Sequence, residues 1–467
     1  MLLACAVNRA TGEYEFNLPS EREEQALGRQ ADRDILAKNP LLTENPGLTQ
    51  LVHEVGLELA AQSERSGPWN VRVLDDHTLN AFAVPGGYLY VTRGLLAHLV
   101  SVDQLAVVLA HELAHVTARH GSQQLRRQAA AARRVGLVRM IDPNLRHLGA
   151  VAARSAGLSL LRHSRAHEEQ ADRIGLRYAH LAGYRVAAMP QVLDMLAVHD
   201  RRTRAHPRET WRSTHPDPTE RRQQVEAWIA SDYPKPAVSQ RVGPDPLLDQ
   251  LVGVAYGIDP RNGFARGATY HLPRLGVEMD VPAGWRAKGN LRGLLAAPAS
   301  GEVLLAALLT GLEHAADGTA AFFDDARFSR GETLREPYDS FPSEGSNFAF
   351  GTREPIAGRV VFIETPAGVW MLLALADYAQ WQAQSAAVVT SLTSFRRIRD
   401  PGVRAIEPPR LTLMQIHDST SLREIPTLQA HQQDVAWLNQ IELDTPLAPG
   451  TRLKVPTWPG PQLPPAR

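Results

Sequence analysis

Cysteine is almost absent from this chain of 467 residues: Cys5 stands alone, so no disulfide within the chain can contribute to stability. Net charge is absent too, because fifty basic residues balance fifty acidic ones, and no basic footprint for nucleic acid is expected. Nowhere does the sequence approach the roughly 20 consecutive apolar residues that span a bilayer. What remains is ordinary for globular protein, with 44% hydrophobic and 21% charged residues. At this length about two to four domains are expected.

Against that background His111-Glu112-Leu113-Ala114-His115 stands out. Residues four apart on a helix share a face, so His111 and His115 can converge on one tetrahedral ion. Glu112 is rotated by about 100° from its neighbour, which directs it to water beside the ion rather than to the ion. The run Asp103 to Ala110 before the motif is apolar and free of Gly and Pro, and Ser101 with Gln104 fits a capping box. The spacing therefore predicts a buried helix carrying a Zn2+ site, one ion per chain. The alternative is a pair of ordinary core histidines; the apolar helix around the pair is what the motif rule expects of a metal site.

A catalytic zinc takes a third protein ligand and keeps an open position. The metzincin pattern would need Gly at 118 and His at 121, where the chain has Ala118 and Gly121, so His120 is displaced and that pattern fails. Further along, Ser164 reads as a helix cap, with Glu168 and Asp172 one turn apart on one face. Glu168 would close the metal shell, while Asp172 would accept a hydrogen bond from the outer nitrogen of a ligand histidine and fix its tautomer. Spacing alone leaves open that Glu168, Glu169 and Asp172 form a solvated acidic face.

HELAHVTARH followed by SRAHEEQADRIG resembles the gluzincin peptidases of metallopeptidase family M48, the group of HtpX, Oma-type and BepA-like proteases. The resemblance covers roughly residues 20 to 235. It implies that the third ligand is Glu168 and not Glu169. Asn80 to Val91 is similar to the family's strand and hairpin before the zinc helix, with Pro85-Gly86-Gly87 as the turn, and Gly183-Tyr184 is similar to the turn after the third-ligand helix. An extended edge beside the cleft can pair with substrate backbone by strand addition, and Asn80 and Ala81 are the candidates for that contact. BepA-like members carry a His-Pro motif matching His215-Pro216; the resemblance implies that His215 occupies the open metal position in a latent form or assists the transition state. Either His215 or Arg221 would steady the oxyanion.

Met1-Leu2-Leu3-Ala4-Cys5 reads as a lipobox, with Ala6 to Gly12 resembling the start of mature lipoprotein members of the family. Four residues before Cys5 cannot supply the apolar stretch of about 7–15 residues of a signal peptide. The expectation is a start inside a longer signal, a lipidated Cys5, and a soluble catalytic part in the periplasm, held to the outer membrane by the lipid anchor only. Arginines from Arg119 to Arg165, interleaved with Ala and Leu, make either a solvated helix face or a lid touching anionic headgroups.

Beyond residue 235 the chain is punctuated by Pro234, Pro236, Pro244 and Pro246, and the resemblance stops. Residues 236–268 read as a linker and 269–400 as a small α/β module with a single antiparallel sheet and a helix near Trp381 to Leu392. Residues 405–457 resemble a degenerate LysM module, in which His417-Asp418-Ser419-Thr420 replaces the usual Gly-Asp-Thr, so peptidoglycan binding and a ligand-free adaptor both stand. A Pro-rich tail, 458–467, closes the chain. The expected fold is multidomain α+β: a mainly helical gluzincin domain over 21–235 with a small edge-strand sheet, then the α/β and LysM-like modules. The expected function is zinc-dependent cleavage of misfolded or misassembled envelope proteins, with the outer-membrane assembly machinery as a further partner. A latent-zinc, chaperone-like assembly factor gated by His215 is the alternative, and a peptidoglycan amidase rests only on the LysM-like tail.

Overall fold

In the computed structural model the described residues are 5–16, 19–37, 39–124, 163–202, 215, 218–235, 245–324, 328–351 and 356–459. Most of the arginine-rich stretch, the Cys5 side chain and residues 460–467 lie outside them. The chain divides into two compact units, Met1–Gly257 with Pro409–Thr457, and Ile258–Pro408 with Trp458–Arg467. No helix among the described residues is long and apolar enough to cross a membrane.

The first unit is built around the helix Val102–Thr117, every residue of which is buried. Its apolar run packs with Leu48, Val52 and Val55 of helix Pro46–Ala60, Tyr178 of helix Arg165–Leu181 and Leu193 of helix Ala188–Arg202 into one core. Ser101 caps this helix by accepting from Gln104 N at 3.2 Å, as the sequence predicts. The reciprocal half differs: Gln104 Oε1 accepts from Val100 N at 3.0 Å, because its side chain also runs sideways to Gln440. Beside the helix lies a small sheet in which Tyr88–Thr92 pairs in parallel with Asn70–Leu74 and antiparallel with Ala81–Val84, leaving Ala81–Val84 at the edge. The hairpin turn is Pro85-Gly86-Gly87, with φ of +93° and +90° at the two glycines, a backbone that side chains with a Cβ rarely adopt.

Residues 409–457 are part of this same unit, although the sequence sets them apart as a module. Strands Arg410–Gln415 and Arg452–Thr457 pair antiparallel and flank a helical stretch ending in Gln432–Leu438. Leu411 and Leu438 enter the core formed by these helices. The segment 236–268 also differs from a plain linker: Asp245 caps the helix Pro246–Gln250 and accepts from Val102 N at 2.9 Å. Leu247 and Leu251 then bury in the main core.

The second unit carries two antiparallel sheets rather than the single one expected. One has seven strands and the other four. The strand Val277–Asp280 pairs with Thr269–Leu272 and Arg396–Arg397, then Pro282 and Gly284 (φ +80°) turn the chain into the other sheet. Met279 of the small sheet, Trp370 and Leu372 of the large one, and Val388 and Leu392 of helix Tyr378–Thr393 share one core.

Candidate metal centre

His111 and His115 project from one face of the buried helix, and their Nε2 atoms lie 3.0 Å apart. Helix Arg165–Leu181, capped by Ser164 accepting from His167 N at 3.2 Å, brings Glu168 to them. Its carboxylate oxygens are 3.6 Å from His111 Nε2 and 3.5 Å from His115 Nε2. The two helices come this close because Gly175 faces the first: a Cβ there would meet His111 N at 3.0 Å and its Cα at 3.1 Å. His215 supplies a fourth donor, with Nδ1 2.9 Å from Glu168 and 3.4 Å from His111 Nε2. These four residues form one cluster of ligand atoms, all within 4.8 Å of one another.

A tetrahedral zinc with bonds of about 2.0–2.1 Å has donors about 3.3 Å apart, so the separations fit such an ion. The charge fits as well. Three carboxyl groups, those of Glu112, Glu168 and Asp172, are buried beside a single guanidinium, Arg221, an excess of acidic groups that a cation would offset. Burial lowers the proton affinity of His111, yet the Asp172 and Glu168 carboxylates outweigh it and raise its pKa to about 9, so the site favours positive charge. Burial would raise the Glu168 carboxyl, but His215 and Arg221 hold it well below the usual range. Asp172 is held low by Arg221 in the same way. Among side-chain atoms here, both oxygens of Glu112 are buried without a hydrogen-bond partner, and burial pushes its pKa up.

Asp172 meets the outer face of His111, with Oδ1 2.9 Å from Nδ1. Arg221, on helix Pro218–Asp232, grips Asp172 at 2.6 and 2.8 Å and Glu168 at 2.7 Å. From sequence Arg221 is a candidate for steadying the oxyanion; in the structure its guanidinium is committed to these two carboxylates. A cavity of about 220 Å³, with Trp228 and Arg165 in its lining, reaches Glu168 and Asp172. On the other side, His115 Nδ1 lies 2.8 Å from Nδ1 of His120, and His163 stacks over the His115 ring at 3.8 Å. Neither His120 nor His163 was singled out as part of the centre from sequence, and the only signal was a histidine five residues past His115.

The structure thus brings together His111, Glu112, His115, Glu168, Asp172 and His215. Asn80 and Ala81 sit at the start of the edge strand, with Ala81 fully buried and Asn80 Oδ1 buried without a partner. The residues here that share a cleft with His115 are Ala83 and Val84 of the strand and Pro85 of the turn.

A helix-borne histidine pair, a glutamate from a second helix and a free carboxylate beside them define the metallopeptidase class. Residues 46–229 match Peptidase family M48, and the chain carries a peptidase domain of that family. A beta-barrel assembly-enhancing protease of Yersinia pestis is 30% identical over 209 residues, covering 43% of this chain and 42% of its own length. Its Escherichia coli K12 counterpart is 29% identical over the same extent. A mitochondrial metalloendopeptidase OMA1 of Schizosaccharomyces pombe is 29% identical over 227 residues, 48% of this chain and 63% of its own. The chain spans less than half the length of these bacterial relatives.

Proposed function

We propose that this chain is a zinc-dependent endopeptidase acting on misfolded or misassembled proteins of the cell envelope, held at the periplasmic face of the outer membrane through a lipidated Cys5. The observation that carries the catalytic part is the convergence of His111, His115 and Glu168 around one point, with the unpartnered Glu112 carboxylate in the next helical position. The envelope assignment draws on the names of the bacterial relatives, which speak of β-barrel assembly, and on the lipobox.

His111, His115 and Glu168 hold the metal. When bound, the ion supplies Lewis acidity that acidifies water and polarises the scissile carbonyl. Glu112 takes the proton of the attacking water and returns it to the leaving amine; its burial-raised affinity for a proton suits both halves of that transfer. Asp172 holds His111 in the tautomer whose Nε2 is free to ligate, and Arg221 steadies Asp172 and Glu168 from behind. The edge strand Ala81–Val84 offers backbone for strand addition by the substrate. Zinc content and casein degradation by the purified chain and by Glu112→Gln test the reading: zinc in both, with cleavage by the native chain alone, is expected. Zinc in neither would overturn it.

A second reading concerns gating, and it is favoured by His215 Nδ1 standing at about the separation of a fourth tetrahedral donor. In the latent form His215 closes the site until it withdraws; alternatively it stays where it is, with Nε2 3.5 Å from Glu112 Oε1 and so close enough to the reacting group to steady the oxyanion. Latency predicts faster casein cleavage by His215→Ala than by the native chain; a slower variant would assign His215 to the transition state alone. Binding of peptidoglycan by residues 409–457 is tested by sedimentation with purified sacculi.

A further inference from the structure

The two ligand histidines need the same tautomer, with the proton on Nδ1 and Nε2 bare, yet only His111 has a carboxylate to enforce it. His115 has none at its Nδ1. Its partner there is Nδ1 of His120, 2.8 Å away, and the far nitrogen of His120, Nε2, lies 2.8 Å from Oε1 of Gln170. Two imidazoles joined nitrogen to nitrogen share one proton, and its owner is undetermined unless something beyond the pair breaks the symmetry. Gln170 does so. A carbonyl oxygen can only accept, so His120 carries its proton on Nε2, its Nδ1 is a bare acceptor, and the shared proton belongs to His115. That is the one arrangement along the chain of three that leaves His115 Nε2 free.

We propose that Gln170 and His120 are positioning residues for His115, forming a relay of hydrogen bonds that fixes the ligand's tautomer and ring plane from outside the metal shell. The inference rests on the proposed metal centre and extends it to two residues that touch neither the ion nor the substrate. Packing supports it. His120 is fully buried, its ring lies parallel to His167 at 4.2 Å, and His163 covers His115 at 3.8 Å, so neither ring of the relay can turn without displacing a neighbour. The geometry also uses the sequence economically: Gln170 lies two residues past the third ligand, Glu168, on the same helix, so one element delivers the ligand and the end of the relay. His120 stands just beyond the end of the helix that carries His115, after Arg119 adopts a positive φ of 59° that turns the backbone there.

The test compares zinc affinity, by chelator competition, in the native chain, His120→Leu, His120→Asn and Gln170→Leu, with circular dichroism melting as the check on folding. Asparagine places an acceptor oxygen near the position of the lost Nδ1, whereas leucine fills the space and accepts nothing. Loss of a partner behind a ligand histidine weakens metal binding by about 10–100-fold. His120→Leu should fall in that range, His120→Asn within a few-fold of native, and Gln170→Leu between them. Nitrogen-15 NMR of the metal-free protein supplies the readout that a purely structural role would not move: His115 should be the Nδ1–H tautomer in the native chain and a mixture in His120→Leu and Gln170→Leu. Native affinity in His120→Leu, or equal losses in the Leu and Asn variants of His120, would overturn the relay. A native chain that bound no zinc would overturn the metallopeptidase reading instead, and the tautomer measurement would still decide the relay.

Discussion

The helix Val102–Thr117 buries polar side chains at both of its ends, and the two sets are organised in opposite ways. Near its start the side chains of Gln104, Gln440 and Lys454 are paired off. Gln104 and Gln440 exchange reciprocal amide hydrogen bonds at 2.9 Å, Gln440 also donates to His98 O at 2.8 Å, and Nζ of Lys454 donates to Ala97 O and Leu99 O at 2.7 and 2.6 Å. Near its end the groups converge instead: two imidazole nitrogens face each other at 3.0 Å and a buried carboxylate is left with no hydrogen-bond partner. Buried polar groups are normally satisfied, so a set that is not satisfied internally marks a place where something else belongs. The first end fastens residues 409–457 to this helix, and the second gathers the donor atoms of the candidate metal centre.

The sharpest way to break this contrast is Asp172→Ala. It leaves the largely buried Arg221 without its main partner, so melting should register a loss of about 3–5 kcal/mol, and zinc affinity should fall together with it. Unchanged melting would mean that the charges at this end are solvated and the contrast false. Next in size is Gln440→Ala, which removes the donor to the His98 carbonyl and leaves the Gln104 amide only its bonds with Val100 N and Gln191. Urea unfolding should show a loss of about 1–3 kcal/mol with zinc affinity unchanged, and a variant that lost zinc first would show that the two ends are not separate.

Lys454 sharpens the comparison through pH. Burial holds its folded pKa well below the ordinary lysine value, so between the folded and unfolded pKa values the unfolded chain binds more protons and stability rises with pH. The melting temperature of the native chain should therefore climb towards pH 10 relative to Lys454→Met, which lacks this contribution; parallel curves would refute the assignment. The smallest effect is also the most diagnostic. Glu112→Gln, already expected to abolish cleavage, removes an unsatisfied buried carboxylate and should raise the melting point of the metal-free chain by the equivalent of roughly 1 kcal/mol. A lower melting point would place Glu112 among the structural groups.

The catalytic end was far more legible in the sequence than the fastening end. The histidine pair, its apolar helix and the two serine caps, Ser101 and Ser164, follow from local period and capping chemistry, and the helix bounds bear them out. The choice of Glu168 over Glu169 needed the family resemblance. Gln104 shows where local rules stop: a capping box explains its backbone N–H, but its amide pairs with a residue 336 positions away. His120 was dismissed because it misses the metzincin spacing, a test that asks whether a residue touches the metal and not whether it stands behind one that does. The union of residues 409–457 with the catalytic unit was invisible for a related reason. It depends on Leu411, Leu438 and Lys454 finding burial against helices far upstream.

Gly175 has no side chain to offer the ion, yet it works as the stop on a calliper whose jaws are the two ligand helices. A methyl group there would press on the His111 backbone at 3.0 Å, and the jaws would open by tenths of an ångström. That is the scale on which zinc, with bonds to oxygen and nitrogen near 2.0–2.2 Å, differs from calcium at about 2.3–2.6 Å. The gauge of ion the centre accepts is therefore set in part by a position that holds no donor, and Gly175→Ala would loosen the grip on the smaller ion without replacing any donor residue.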